Sequence, residues 1–470
     1  MRIRYKNTLR RLKRLGEGKN RRIKLLTARL RRRDARITRL EEQVRQLQQR
    51  YEPRPLAGHT YPLQMIALAI FMRVHANSSL RCAAKTVGFM AQLLGWPYSA
   101  PVHATVDNWV RRLGLFELRG GAAKGGAYAA VIDESIQIGC EKVLLMLGIK
   151  LHADRCHAAP LRFDDVEVLG LRVAESWKAE QVQDFVAEQL DHHDQVEVAY
   201  AICDGGTNLN KALAAAGLTT VADCSHKLMN GLKKLLSDYA ALGRLTTFMG
   251  QYRRKYILSQ SSHLCPPTLR DKDRFGRLFT VVDWVDRLER CWSTLETQQR
   301  KQLQYLRTPN VQHLVRELRQ LRTLVARVSK IVKSMGISPH SHQRWLQTLA
   351  EYEQRTELTP KSRQLVDLIA QYFDEHLPLL GDRDYLLACS DIIESTFGHY
   401  KNKGGIKVIS SDVLYLPLLA KQITLDYVAG GLAQTSQKAV DDWHRHNTCP
   451  TRYSRLRAME NRAKQHTQRA

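Results

Sequence analysis

The 470-residue chain predicts an α/β fold, a mixed five-stranded sheet interrupted by a large all-helical segment and preceded by helical arms. Three observations carry this. Apolar runs without helical period occupy 127–139, 142–151 and 165–176, and a fourth returns at 195–206 after one amphipathic stretch. From 240 to 388 the pattern is helical throughout. At the start, Ile37, Leu40, Val44, Leu47 and Tyr51 recur at steps of three and four, the spacing of a coiled-coil seam.

Residues 1–51 thus form a basic coiled-coil arm. The first 50 residues hold 19 Lys/Arg against four Asp/Glu, more than half of the chain's net charge of +27. So concentrated a positive charge implies a polyanionic partner, double-stranded DNA in this reading. Arg31, Arg32 and Arg33 are the densest cluster and the candidate phosphate contacts. A coiled-coil seam feeding a basic arm predicts a homodimer or higher oligomer on DNA. "EPRPLAG" at 52–58 reads as a linker.

Residues 58–118 form a small helical domain. "YPLQMIALAIFMRVHAN" is apolar on most sides and predicts a buried helix. The next helix is capped by Ser78 or Ser79 and stopped by Gly95. In "HATVDNWVRRLGL", Thr105 is the expected cap and Val106, Trp109, Val110 and Leu113 make the inward stripe. Asp107, Asn108, Arg111 and Arg112 are left outside, so this stretch reads as the recognition helix of a helix-turn-helix, with Asn108, Arg111 and Arg112 facing DNA.

Residues 125–239 carry the sheet. Two hairpins join the first three strands, and "WKAEQVQDFVAEQL" crosses over to "QVEVAYAICDGG". A right-handed crossover brings strand four parallel to strand one. Helix "TNLNKALAAAG", short strand "LTTVADCSH" and helix "KLMNGLKKLLSDY" complete this part. The segment 240–388 is then an insertion of helices, 389–430 supplies final helices that belong with the sheet, and 431–470 is a basic tail whose end, "TRYSRLRAMENRAKQHTQRA", reads as loose.

Asp133 ends the apolar run of strand one and Asp204 that of strand four, so their side chains should face one another at one sheet edge. Glu134, beside Asp133, should point to the other side. Carboxylates held together need a shared proton or a cation, and hard oxygen ligands suit Mg²⁺ or Mn²⁺. Glu394, on the helix "DIIESTFGHYK", is the best third acid; Asp391 lies one turn earlier, and Glu375 and Asp384 are weaker candidates. Lys401 and Lys403 follow it as candidate DNA contacts.

With "VIDES", "ICDGG" and "DIIESTFGHYK" in this order, the chain over roughly 120–415 resembles the RNase H-like DDE transposases of bacterial insertion sequences. The resemblance implies that Asp133, Asp204 and Glu394 are catalytic and bind two Mg²⁺ (or Mn²⁺). It also implies hydrolytic cleavage at transposon ends, then transfer of the freed 3′-OH into target DNA. Lys401, seven residues after Glu394, matches a family position that contacts end DNA. "DCSH" resembles the C/D-x-x-H motif of hobo-type and Mutator-type transposases and so places Asp223 and His226 near the scissile phosphate. The interval from Asp204 to Glu394 resembles the helical insertion of those groups, in which Trp284 or Trp292 would stack on a flipped base. The sequence departs from some insertion-sequence families at Leu387 and Ser390, where those families carry Tyr or Arg. Two other readings stand beside this one: an RNase H-like nuclease without strand transfer, and an inactive DNA-binding regulator of the same fold.

Nine cysteines without a CxxC pair, among them Cys140, Cys203 and Cys389 beside apolar runs, suit reduced thiols. With no span-length apolar run and no signal-like segment, the expected location is the cytoplasm, at the nucleoid.

Overall fold

The computed structural model describes residues 2–120, 125–138, 141–151, 161–193, 195–268, 278–402, 409–450 and 452–469. Lys403, Cys140 and most of the loop expected between the second and third strands lie outside the described residues.

Five strands form one mixed sheet in the order β3-β2-β1-β4-β5. They are β1 (Gly126–Ile138), β2 (Glu141–Lys150), β3 (Val166–Ala174), β4 (Val196–Cys203) and β5 (Thr220–Ala222). β1 pairs antiparallel with β2, and β2 with β3. β4 lies parallel to β1 on its other side, and β5 parallel to β4. The three-strand meander and the crossover neighbour expected from the sequence are both present.

Alternate residues of the central strands enter two separate cores. Ala129, Val131, Leu145, Leu147, Tyr200 and Ile202 face one side. Tyr128, Ala130, Ile132, Leu144, Met146 and Ala201 face the other, where α5 (Ala179–His192) and α6 (Thr207–Ala215) cover them. Both faces of the sheet are therefore dry, which is why its strands read as continuous apolar runs rather than alternating ones.

The first face carries α7 (Cys224–Leu236) and a helical stack that follows it: α8 (Ala240–Tyr256), α9 (Leu278–Arg290), α10 (Thr297–Leu303), α11 (Pro309–Met335), α12 (Pro339–Glu353) and α13 (Pro360–His376). The 27-residue α11 is its spine, with Leu314, Leu318, Leu321 and Leu324 all fully buried. α13 closes the outer edge of β5: Tyr372 Oη donates to the Ala222 carbonyl at 2.9 Å, and the Ala222 N–H donates to His376 Nε2 at 3.0 Å. Both backbone groups of Ala222 on the open side of this edge strand are thereby taken. Because His376 Nε2 accepts, its proton sits on Nδ1, which donates to the Tyr372 carbonyl.

The amino-terminal helices are α1 (Arg2–Tyr51), α2 (Leu63–Val74), α3 (Leu80–Leu93) and α4 (His103–Leu118). Ser79 caps α3, accepting from the Cys82 N–H at 3.1 Å, and Gly95 follows it at φ +68°. α4 departs from the expected recognition helix. It is wrapped by the 3₁₀ segment Ser411–Ala420, by α15 (Leu425–Gln434) and by α16 (Gln437–Asn447). The wrapping is close: a Cβ on Gly114 would lie 1.6 Å from the Leu414 carbonyl oxygen. Arg111 pairs with Asp107 and donates to Ser411 Oγ at 2.9 Å. Arg112 donates to the carbonyls of Thr435, at 2.6 Å, and Leu432. These two arginines are taken up by the protein's own acceptors, and Asn108 alone of the three is exposed.

The basic carboxyl-terminal segment begins with packed structure. Val440 and Trp443 of α16 are buried against α4 and β3, and α17 (Arg452–Arg469) is helical, with Arg455 paired to Glu175. Among the described residues no helix is long and apolar enough to cross a membrane.

Candidate active site

The middle of β1, the end of β4 and one helix build the site. The β1–β4 register pairs Val131 with Ile202. Two residues further along each strand stand Asp133 and Asp204, by parity on the same face as Val131 and Ile202. Glu134 falls on the other face, where Lys142 pairs with it at 3.7 Å. Beyond β4 the chain turns through Gly205, at φ +84°, a backbone state that favours glycine. Asp204 Oδ1 accepts from the Gly206 N–H at 2.8 Å, which fixes its carboxylate at the mouth of α6.

The helix α14 (Asp391–Lys401) packs over β1 on this same face. Ile392, Ile393, Thr396, Phe397 and Tyr400 are buried beneath it, and Glu394 lies on its exposed side. Glu394 Oε1 is 2.9 Å from His226 Nε2. Asp391 is instead paired with Lys333 of α11, so the rival acid is committed to the helical stack. Glu375 is held by Lys227 at 2.8 Å.

Asp223 is the joint of the arrangement. It is 1% exposed and caps α7, with Oδ1 accepting from the His226 N–H at 2.7 Å. Oδ2 accepts from both the N–H and the hydroxyl of Ser390, the residue before α14, at 2.6 and 3.0 Å. Its own N–H donates to the Cys203 carbonyl at 2.9 Å. One buried residue therefore ties the end of β4, through its N–H, to the starts of α7 and α14, through its carboxylate. Both carboxylate oxygens of Asp223 are engaged within the protein, an arrangement that positions the site. His226, one turn along, is partly exposed and faces the acids.

The electrostatics follow from this packing. Burial pushes the Asp133 carboxyl up to about 7, and the negative charges of Asp204 and Glu394 push it the same way. The hydrogen bond to Glu394 raises His226 to about 9. The acids repel one another in the absence of a cation, and three carboxylates are a donor set suited to Mg²⁺ or Mn²⁺. Among the described residues no three such side chains converge closely enough, as they stand, to enclose an ion. Glu394 is engaged by His226 instead.

Lys401 is exposed at the end of α14, two turns from Glu394. Trp284 is buried, with its indole N–H donating to the Leu264 carbonyl at 3.0 Å; it belongs to the helical core and cannot stack on a base. Trp292 is half-buried, with the Arg307 guanidinium 5.2 Å from its ring centroid. The His226–Glu394 contact and the Ser390–Asp223 contact are not visible in the sequence, whose only trace of them is the short interval between Asp223 and His226. No protein-family model matches the chain, and no curated protein matches it.

Proposed function

We propose that the chain is a DDE-type DNA transposase with an RNase H-like core interrupted by helices 240–388. The observation that carries this reading is the placement of Asp133, within β1, and Asp204, just past the end of the adjacent parallel β4, on one face beneath the helix that bears Glu394. Bound to these carboxylates, a pair of Mg²⁺ or Mn²⁺ ions supplies activation of water or a 3′-hydroxyl and stabilisation of the leaving oxygen. Asp133, pushed toward neutrality by burial and then by the neighbouring acids, gives up its proton when positive charge arrives. His226 holds Glu394 beside the acidic pair, and Asp223 fixes the distance between their two helices. Lys401 meets the phosphates of the end DNA, and Arg31 and Arg32 of α1 grip the backbone of the duplex without reading sequence.

The test is a joining assay on the full-length chain with Mg²⁺, a labelled duplex from the DNA flanking the coding region, and a target plasmid. The expected products are cleaved 3′ ends joined to the target, abolished by Asp133→Asn, Asp204→Asn and Glu394→Gln with end binding retained. Cutting without joining would point to a nuclease and binding without cutting to a regulator; either result overturns the transposase reading.

A further inference from the structure

The unpartnered feature of the molecule is α1, a helix of 50 residues and about 75 Å. Every side chain from Arg22 to Arg45 is exposed, so nothing in the same chain covers it there. Yet one stripe is apolar. Ile23, Leu30, Ile37 and Val44 recur every seven residues; Leu26 and Leu40 stand three after the first and third of them. These six are 48–61% exposed. In sequence the repeat continues to Leu47 and Tyr51, four heptads in all.

We propose that α1 pairs with α1 of a second copy of this chain as a parallel, in-register, two-stranded coiled coil seamed from Ile23 to Val44. The choice of side chains fits that occupant. The first core position is β-branched in three of four heptads, and the second is Leu in two of three, the combination that favours two parallel strands. Flanking charges fix the direction. In the parallel arrangement each residue just before a first core position faces the partner residue five places later. Arg29 then meets Asp34 and Arg36 meets Glu41, with no like-charged pair among the flanking residues from Arg22 to Gln43; the one like-charged contact is in the seam itself, where Arg33 faces its counterpart. An antiparallel pair would set Arg22, Arg29 and Arg36 against each other and Asp34 against Glu41, which disfavours it. Arg33 occupies the second core position of the middle heptad, a charged seam residue that lowers affinity and penalises shifted registers. The dimer splits the basic cluster: Arg33 turns into the seam, whereas Arg31 and Arg32 lie on the outer face and stay open to phosphates.

This inference does not depend on the metal chemistry proposed above, and its test leaves that chemistry untouched. Sedimentation equilibrium of the full-length chain should give a dimer, and Ile37→Asn with Leu40→Asn should convert it to a monomer with an unchanged melting transition of the body. Arg29→Glu/Arg36→Glu and Asp34→Arg/Glu41→Arg should each weaken the dimer about tenfold or more, and mixing the two variants should restore it as a heterodimer. Val44→Cys should cross-link to itself under mild oxidation, above the background of the unmodified chain. Arg33→Leu should tighten the dimer. A monomeric wild-type chain, a dimer indifferent to the seam changes, or a dimer without the Val44→Cys cross-link would each overturn the proposal. So would seam variants that lower only duplex affinity, since nucleic acid would then be the occupant.

Discussion

Asp133 is the residue on which opposed forces meet. Its burial and the neighbouring acids raise its carboxyl from the ordinary 3.8 to about 7, so the native chain keeps that proton across a range in which the unfolded chain has released it. Without divalent ions, stability from this group therefore falls as pH rises from about 4 to 7. Asp133→Asn should remove that decline and leave the metal-free protein more stable at pH 8 by about 1–3 kcal/mol, read from denaturant melts. An Asp133→Asn chain of unchanged or lower stability would mean that the acids do not crowd one another. His226 has the opposite charge and loses stability in the same direction: its contribution is full below about 6.5 and disappears as pH rises through about 9. Imidazole NMR on the metal-free chain should place its titration near 9, falling toward 6.5 in Glu394→Gln; a wild-type value near 6.5 would dissolve the pair. Asp133, Asp204 and Glu394 could be read from sequence because each acid interrupts or ends an apolar pattern. Arg111 and Arg112 misled because helical period says which face is apolar, not how many neighbours surround the helix. Their partners, Ser411, Leu432 and Thr435, come from some 300 residues away.

At the scale of elements, strand order was legible because three consecutive apolar runs with no helix between them leave few topologies, and the handedness of crossovers chooses among them. The packing of α14 was less so. Its seat depends on Asp223, which in sequence reads as part of a catalytic motif and in the fold is a buried cap with four backbone or hydroxyl donors or acceptors around it. Asp223→Ala should destabilise the protein by about 2–4 kcal/mol, since it removes a helix cap and leaves Ser390 unsatisfied. Hydrogen exchange should then rise first at Ser390–Glu394; unaltered protection there would show that α14 is seated by its apolar face alone. Gly114 marks the second such joint. Gly114→Ala should cost about 1–3 kcal/mol or more, because the methyl must displace the Leu414 backbone, and a neutral result would contradict the close approach of α4 to residues 411–420.

At the scale of the whole molecule, the proposed function divides the positive charge into a structural share and a binding share. Arg31→Ala with Arg32→Ala should flatten the dependence of log K on log salt for duplex binding by about 2, measured by fluorescence anisotropy. Arg111→Ala and Arg112→Ala should leave that slope alone and lower stability, and the reverse pattern would return α4 to the role of a DNA reader. The sheet, the stack on one of its faces and the exposed arm are each legible in sequence as patterns, whereas the dense contacts of 411–447 with α4 are not, because nothing local announces them. The central claim concerns three acids at one edge of that sheet, and Mn²⁺ binding followed by electron paramagnetic resonance tests it most directly. The full-length chain should bind Mn²⁺ competitively with Mg²⁺, and Asp133→Asn, Asp204→Asn and Glu394→Gln should each weaken that binding about tenfold or more. Mn²⁺ binding that is absent, or indifferent to all three substitutions, would contradict the account.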